Sequence, residues 1–366
     1  MTSDFCSAGT ISPDTRLWRD HEPFDCESGA VLEQLQLAYR TWGELNDAGD
    51  NAVLVCHALT GSADADEWWP GLIGPGLPLD TDRDFVVCSI VLGGCYGSSG
   101  PMQADVTGKR LGARFPVITI RDMVRAQRRL LDHLGVKRLA LVIGPSMGGM
   151  QVLEWAMHAP DVVDAIAPIG VSAQHSAWCI AIGESQRAAI EADPAWLDGH
   201  YEVSAPPLKG LAAARMMAMV TYRSWDNFES RFGRIADDHH EFTAASYLRY
   251  QGSKLNERFD AVSYVRLTEA MDSHDVGRDR GSSEFALAAT KIPALVVSVS
   301  SDVLYPPQEQ HFLAEHLGNA SLIELDSPHG HDGFLIDLDP LGASIREFRA
   351  GLSLSDADKK PNALSA

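Results

Sequence analysis

Short apolar runs recur along the chain, with helix-patterned segments between them. Ala52–Cys56 (AVLVC), Phe85–Val91 (FVVCSIV), Leu139–Ile143 (LALVI) and Ile292–Val299 (IPALVVSV) are continuous and rich in valine and isoleucine. Runs of this kind predict strands buried on both faces of a parallel sheet. Ser321–Leu325 predicts one more strand. Arg121–Leu134 repeats apolar residues at helical spacing (Met123, Ala126, Leu130, Leu131, Leu134), and Gly135 follows as a natural stop. Val31–Thr41 alternates apolar and polar positions, which predicts an antiparallel edge strand. Alternating strands and helices predict an α/β domain.

From about Gln174 to Thr290 the buried-strand pattern is missing. Alanine-, methionine- and arginine-rich stretches such as Gly210–Tyr222 predict helices instead. The expected organisation is a core formed by residues 1–173 and 291–350, a helical lid inserted at 174–290, and a polar, flexible tail at 351–366.

Composition narrows the function. Of the 366 residues, 45% are hydrophobic and 22% charged, which excludes a long disordered chain. Fifty acidic residues against 30 basic ones give a formal charge of −20. Such a field repels phosphate backbones, so no nucleic-acid binding is expected. Lysine is scarce, and an acid-rich, lysine-poor surface suits high salt. A halophilic source and an ordinary acidic cytosolic protein both fit. The six cysteines form neither a CxxC pair nor a cluster with zinc spacing, so no metal site and no disulfide framework are expected. Cys56 and Cys88 lie in apolar runs, where free thiols pack as small hydrophobes. The N-terminal MTSDFCSAGTISPD lacks the basic and apolar regions of a signal peptide, and no run reaches the ~18 apolar residues of a membrane span. A cytoplasmic location is expected, with no membrane partner.

The sharpest motif is Gly144-Pro145-Ser146-Met147-Gly148-Gly149. It fits G-x-S-x-G between the strand Leu139–Ile143 and a helix over Met150–His158, the setting of a nucleophile elbow. Ser146 is the expected nucleophile; the competing role is a helix cap in a glycine-rich turn. A serine needs a base and an acid that orients it, in the chain order Ser, Asp, His. Asp302, just after Ile292–Val299, is the expected acid; its competing role is to cap a helix beginning near Gln308. His331, before the apolar start Phe334–Ile336, is the expected base. His329 is the competitor, and the loser of the two would line the site mouth or cap the helix. The oxyanion needs two backbone donors. Met147 N–H is one, and Leu59 N–H, in the small-residue turn His57–Ser62, is the other. The competing reading of that turn has His57 satisfying backbone groups.

HALTGSADADEWWPGLIGPG, LGGCYGSSGP, FPVITIRDMVRAQ, GPSMGGMQVLEW, RFDAVSYVRLTEAMDSHDVGR and HGHDGFL together resemble the homoserine O-acetyltransferases, from about residue 14 to residue 349. The resemblance implies an α/β-hydrolase fold with a mostly parallel sheet and a helical lid. It implies a ping-pong acyltransferase of methionine biosynthesis, with acetyl-CoA as co-substrate and no metal or prosthetic group. It also implies a homodimer formed through the lid. By the same resemblance Arg215 holds the carboxylate of L-homoserine, Tyr222 lines that pocket, and Asp332 holds the ammonium. The competing roles are a solvated helix face for Arg215 and a helix N-cap for Asp332. The elbow reads GPSMGG where GGSMGG is usual in the family, and GHDGF stands for GHDAF. Gly333 is therefore expected to widen the space beside His331 and Asp332. A succinyl-CoA donor, a serine acceptor and an esterase or deacetylase on the same triad remain open. So does a non-catalytic binding protein of this fold, which would need no triad.

Overall fold

The structure is a computed structural model that describes residues 12–359 except Val106 and His239, with side chains as far as Leu352. An eight-stranded sheet runs through it. In chain order its strands are β1 (Arg16–Asp20), β2 (Leu35–Trp42), β3 (Ala52–Val55), β4 (Phe85–Ser89), β5 (Leu139–Pro145), β6 (Ile166–Ile169), β7 (Ala294–Val299) and β8 (Ala320–Leu325). Their spatial order is β1-β2-β4-β3-β5-β6-β7-β8. β2 is antiparallel to both neighbours, and every later pairing is parallel.

The apolar runs form strands because both faces of the sheet are covered. Leu54, Val87, Val142, Ile166 and Val296 face one core. Their strand neighbours Val53, Val86, Leu141, Ala167 and Val297 face the other. A continuous apolar sequence is what two buried faces demand. Three expectations change. The alternating segment does not form an edge strand over Val31–Thr41. Val31–Leu32 pairs with Phe24–Asp25 as a separate hairpin, and β2 lies inside the sheet. β1 is the edge and covers β2, so even Gln36 of β2 is fully buried. The strand expected from Ile292 starts at Ala294, after Pro293, which has no N–H for a ladder. β6 is a strand that the sequence reading missed.

Helix α2 (Met147–His158) packs on β5 and β6, and α1 (Ile120–His133) packs against α2 and β2. Thr119 opens α1 with a capping box: its side chain accepts from Asp122 N–H, and Asp122 accepts from Thr119 N–H. Between β6 and β7 the chain forms α3 (Ala177–Glu191), α4 (Leu208–Tyr222), α5 (Trp225–Arg231), α6 (Thr243–Asn256), α7 (Ala261–Asp272) and α8 (Ser283–Ala289). None of this stretch joins the sheet. α9 (Pro307–His316) and α10 (Leu338–Lys359) complete the chain. α10 carries helical backbone into the segment expected to be a flexible tail; residues 360–366 lie outside the described residues. Cys6 also lies outside them, and Cys26, Cys56, Cys88, Cys95 and Cys179 are free and buried. Burial pushes the Cys56 and Cys88 thiols far above their usual range, so they stay protonated. Among the described residues no helix is long and apolar enough to cross a membrane.

A buried polar chain locks α1 to α2. Trp155 Nε1 donates to Gln127 Oε1 at 2.8 Å, Gln127 Nε2 donates to Gln151 Oε1 at 2.8 Å, and Gln151 Nε2 donates to the Met147 carbonyl at 3.2 Å. Gln127, Gln151 and Trp155 are essentially inaccessible to water. Gln127→Ala leaves the indole N–H and the Gln151 carbonyl unpaired and opens a void. A loss of about 2–4 kcal/mol is expected, since each orphaned buried group costs about 1–3 kcal/mol. Urea unfolding of the variant checks this, and a change below about 0.5 kcal/mol would contradict it.

Candidate active site

β5 delivers the chain to Ser146 at the carboxyl ends of the parallel strands. Ser146 has φ 56° and ψ −125°, a left-handed conformation rare for a residue with a side chain. Its N–H donates to Ile169 O of β6 at 2.9 Å. The turn closes tightly because Gly148 presses on the β3 end: a Cβ there would overlap the carbonyl oxygen of Cys56. α2 starts at Met147, three residues before the expected Met150. Ser146 makes no side-chain cap bond to it, so the capping role is not the one it plays.

The loops after β7 and β8 bring in the other two groups. His331 Nδ1 and Asp302 Oδ2 are 2.6 Å apart, and both residues are buried. The second oxygen of Asp302 accepts from the N–H groups of Leu304 (2.8 Å) and Tyr305 (2.9 Å). The carboxylate therefore caps its own turn, while Pro306 occupies the cap of α9. With Nδ1 engaged on a carboxylate, Nε2 is the ring nitrogen left to face other groups. His331 Nε2 is buried and has no protein partner. Tyr222, Tyr305 and Phe334 surround the ring, with centroids 5.8, 5.3 and 5.1 Å away.

His329 takes neither role expected of the losing histidine. Its Nδ1 meets Asn227 Nδ2 of α5 at 3.0 Å, which ties the loop to the lid. Gly333 also departs from expectation. A Cβ at Gly333 would meet Ser327 Oγ and Val299 Cγ1 at 2.8 Å, so the missing methyl lets the loop pack on β7 and leaves the cavity unwidened.

The oxyanion turn is held from two sides. His57 is buried; its Nδ1 lies 2.8 Å from the Ala58 carbonyl, and its Nε2 accepts from Val91 N–H at 3.1 Å. Burial lowers its pKa to about 4, so the ring is neutral and bonds at both nitrogens. From the lid, Arg258 Nη1 donates to the Thr60 carbonyl at 2.8 Å and to the Tyr96 hydroxyl. The His57 role read as the alternative to an oxyanion turn is thus real, and it coexists with a free Leu59 N–H. Neither Leu59 N–H nor Met147 N–H meets a protein acceptor among the described residues.

Ser146, Leu59, His331, Arg215, Tyr222 and Asp332 line one cavity of about 740 Å³. Arg215 and Tyr222 are on α4, and the guanidinium carbon sits 5.4 Å from the centre of the phenol ring. Arg215 Nε is buried and unpartnered. Asp332 makes no side-chain cap bond; its Oδ2 lies 3.1 Å from Arg223 Nε. Burial raises the Asp332 pKa, and Arg223 opposes that most strongly, followed by His331 and Arg215. The cavity thus joins a serine, a histidine–aspartate pair, a cation and an anion. A larger concavity of about 1340 Å³ opens near the starts of β5 and β7, beside Arg138 and Pro293, and none of these groups reaches it. Arg223, Asn227 and Arg258 were missed by the sequence reading. Each acts through a partner that only the fold brings near or through a backbone carbonyl, which leaves no motif to find.

A strained serine after the fifth strand, with a buried histidine–aspartate pair beyond the seventh and eighth, defines an α/β-hydrolase-fold protein. A family model described as the alpha/beta hydrolase fold matches residues 51–338. A homoserine O-acetyltransferase of Trichormus variabilis is 56% identical over 349 residues, 94% of this chain and 96% of the relative. One from Chlorobium luteolum is 54% identical over 344 residues, again 94% and 96%. The crystal structure of homoserine O-acetyltransferase from Bacillus anthracis aligns with TM-score 0.85 at 26% identity, over 93% of this chain and 98% of that one. That of esterase E22 also reaches 0.85, at 28% identity, over 92% and 99%. Within the α/β hydrolases, the chain belongs to the homoserine O-acetyltransferase family.

If Ser146 is the nucleophile and His331 the base, Ser146→Ala and His331→Ala each lower turnover on the order of 10⁴-fold with the fold retained, because such groups act as a unit. His329→Ala loosens a tether and costs far less. Steady-state rates of the three purified variants check this. Equal losses in the two histidine variants would remove His331 as the base.

Proposed function

We propose that the protein transfers an acetyl group from acetyl-CoA to the γ-hydroxyl of L-homoserine, giving O-acetyl-L-homoserine and CoA. One observation carries the reading: an elbow serine and a buried histidine–aspartate pair share a cavity with Arg215 and Asp332, the two charges that an amino acid's carboxylate and ammonium require. The names of the relatives support an acetyl donor and a homoserine acceptor over the succinyl and serine alternatives.

In the first half-reaction Ser146 Oγ attacks the thioester carbonyl and passes its proton to His331 Nε2. Leu59 and Met147 N–H hold the oxyanion. Collapse expels the CoA sulfur, which takes the proton from His331, and leaves acetyl-Ser146. In the second, the homoserine γ-hydroxyl gives its proton to His331 and attacks the acetyl carbonyl. The intermediate collapses to the ester product, and Ser146 regains the proton. Asp302 steadies the imidazolium in both halves. Arg215 grips the acceptor carboxylate with a planar fork, Tyr222 packs beside it, and Asp332 takes the ammonium. In this reading acetyl-CoA is a co-substrate and no cofactor is bound. The enzyme acts in the cytoplasm on small molecules, as a step of methionine biosynthesis.

The second reading, an esterase on the same residues, is favoured by the likeness to esterase E22. Rapid mixing with acetyl-CoA tests both. Transfer gives a burst of CoA that stops until homoserine is added; an esterase turns over continuously to acetate. Arg215→Ala should leave the burst intact and raise the homoserine KM about 10–100-fold, the worth of a charge-assisted fork. A lost burst with a normal KM would move Arg215 out of the acceptor site.

We also propose a homodimer through the lid. Met217, Val220, Trp225, Ile235 and Tyr250 are exposed there, Trp225 at 73% and Tyr250 at 60%, as an apolar interface needs. Sedimentation equilibrium should give the mass of two chains, and Trp225→Asp with Tyr250→Asp should give one. A monomeric parent protein would refute the dimer.

A further inference from the structure

Arg223 ends α4, and its backbone is extended, with φ −115° and ψ 154°. There it is wedged against the loop that carries His331. Gly330 has φ 68°, and a Cβ on it would sit 2.6 Å from the Arg223 carbonyl carbon and from Ser224 N. No other residue type fits that contact without moving the loop. Ser224 Oγ donates to the Pro328 carbonyl and accepts from Asn227 N–H, and Asn227 reaches His329. The segment Arg223–Asn227 is therefore a mount for the three residues that lead into His331.

From this mount the Arg223 side chain turns to Asp332. Nε lies 3.1 Å from Oδ2, a charge contact without hydrogen-bond alignment, and the side chains are only 16% and 13% exposed. Among the described residues no other carboxylate lies within ion-pair distance of Arg223. Among the described residues Asp332 Oδ1 has no protein hydrogen bond, and the residue lines the cavity with Ser146. One carboxylate oxygen is thus engaged by Arg223, and the residue that carries it stands at the cavity wall with capacity for a second cation.

We propose that Arg223 is a positioning residue for the acceptor. It keeps Asp332 ionised and aimed, so that an α-ammonium group can dock on the free oxygen. This rests on the acceptor reading given above and adds to it the group that makes Asp332 usable. The charged and titratable groups facing Asp332 are Arg223, Arg215 and Tyr222 from α4 and its end, His331 from its own loop, and Asp302 from the loop after β7. Burial favours the neutral acid, and Arg223 is the nearest fixed positive charge against it. Without Arg223 the folded pKa of Asp332 rises further. At a given pH more of it is then protonated and unable to pair with ammonium. Acceptor use should recover only as pH climbs through the raised value.

The test uses Arg223→Gln and Arg223→Lys in the full-length enzyme, with two acceptors: homoserine, and 4-hydroxybutanoate, which lacks the amino group. Arg223→Gln should keep the CoA burst. It should raise the homoserine KM on the order of ten-fold or more, a typical cost of a charge-assisted contact. It should shift the acid limb of kcat/KM for homoserine to higher pH and leave 4-hydroxybutanoate unaffected. Arg223→Lys should restore part of the loss, since it keeps the positive charge but carries it on an ammonium at a different place from Nε. Equal losses on both acceptors, an unmoved pH profile, or a lost burst would overturn the proposal and make Arg223 scaffold. Should Arg223→Gln fail to fold, the lysine variant decides alone: a homoserine-specific loss supports the role, and an acceptor-independent one refutes it. Wild-type protein with no burst, or with continuous acetate release, would sink the transfer reading itself and is scored before any variant.

Discussion

The backbone of one residue sets the terms for the rest of the molecule. Ser146 must hold a left-handed conformation between β5 and α2, and nothing local stabilises that. The surroundings impose it. The Ser146 N–H is fixed on β6, Gly148 lies flush against the end of β3, and the polar chain through Gln151, Gln127 and Trp155 clamps the first turn of α2 to α1. Strain of this kind, about 1–3 kcal/mol, persists only where packing over-determines it. The two-sided apolar core supplies that packing, with a parallel sheet covered on both faces and strand ends that converge on one point.

Around that point the site is divided between two bodies of structure with different sequence character. Ser146, Asp302 and His331 come from loops at the ends of sheet strands. Arg215, Tyr222 and Arg223 come from one helix of the insertion. The core side offers a hydroxyl and a base; the insertion offers fixed charge and a wall. The likeness to esterase E22 covers 92% of this chain and so takes in most of the insertion as well as the core. Acceptor chemistry, in the acetyl-transfer reading, is shared: Arg215 and Tyr222 come from the insertion, and Asp332 from the core loop after β8.

This division explains what the sequence disclosed. The strands β3, β4, β5 and β7 were legible because burial on two faces writes a continuous apolar run. The elbow was legible because its glycines are needed within a few residues of one another. Asp302 and His331 were placed by chain order and by the strands before them, and Arg215 and Asp332 by family likeness. β1 and the interior position of β2 were not legible: alternation reports a polar face, and the sequence does not show the ladder partner that buries it. β6 is short, and the alanine and proline in its middle dilute its pattern. The Arg258 tether and the Arg223–Asp332 pair have no signature, since they join residues more than a hundred positions apart. Gly333 misled for a related reason, because its empty side faces β7 and a sequence does not say which way a missing methyl would have pointed.

The insertion is fastened to the core at well-separated places. Arg258 grips the oxyanion turn, Ser224 and Asn227 grip the histidine loop, and Asp272 of α7 bonds His175, which in turn meets Tyr305 beside the histidine–aspartate pair. Swinging the insertion outward as a flap would break these bonds together, at about 1 kcal/mol or more for each. It would also unseat both the oxyanion turn and the base. Such a cover is a fixed roof. In the acetyl-transfer reading proposed above, substrates thread in beneath it, and the length and flexibility of the donor's thioester arm, rather than a moving door, govern how the acyl group reaches the serine.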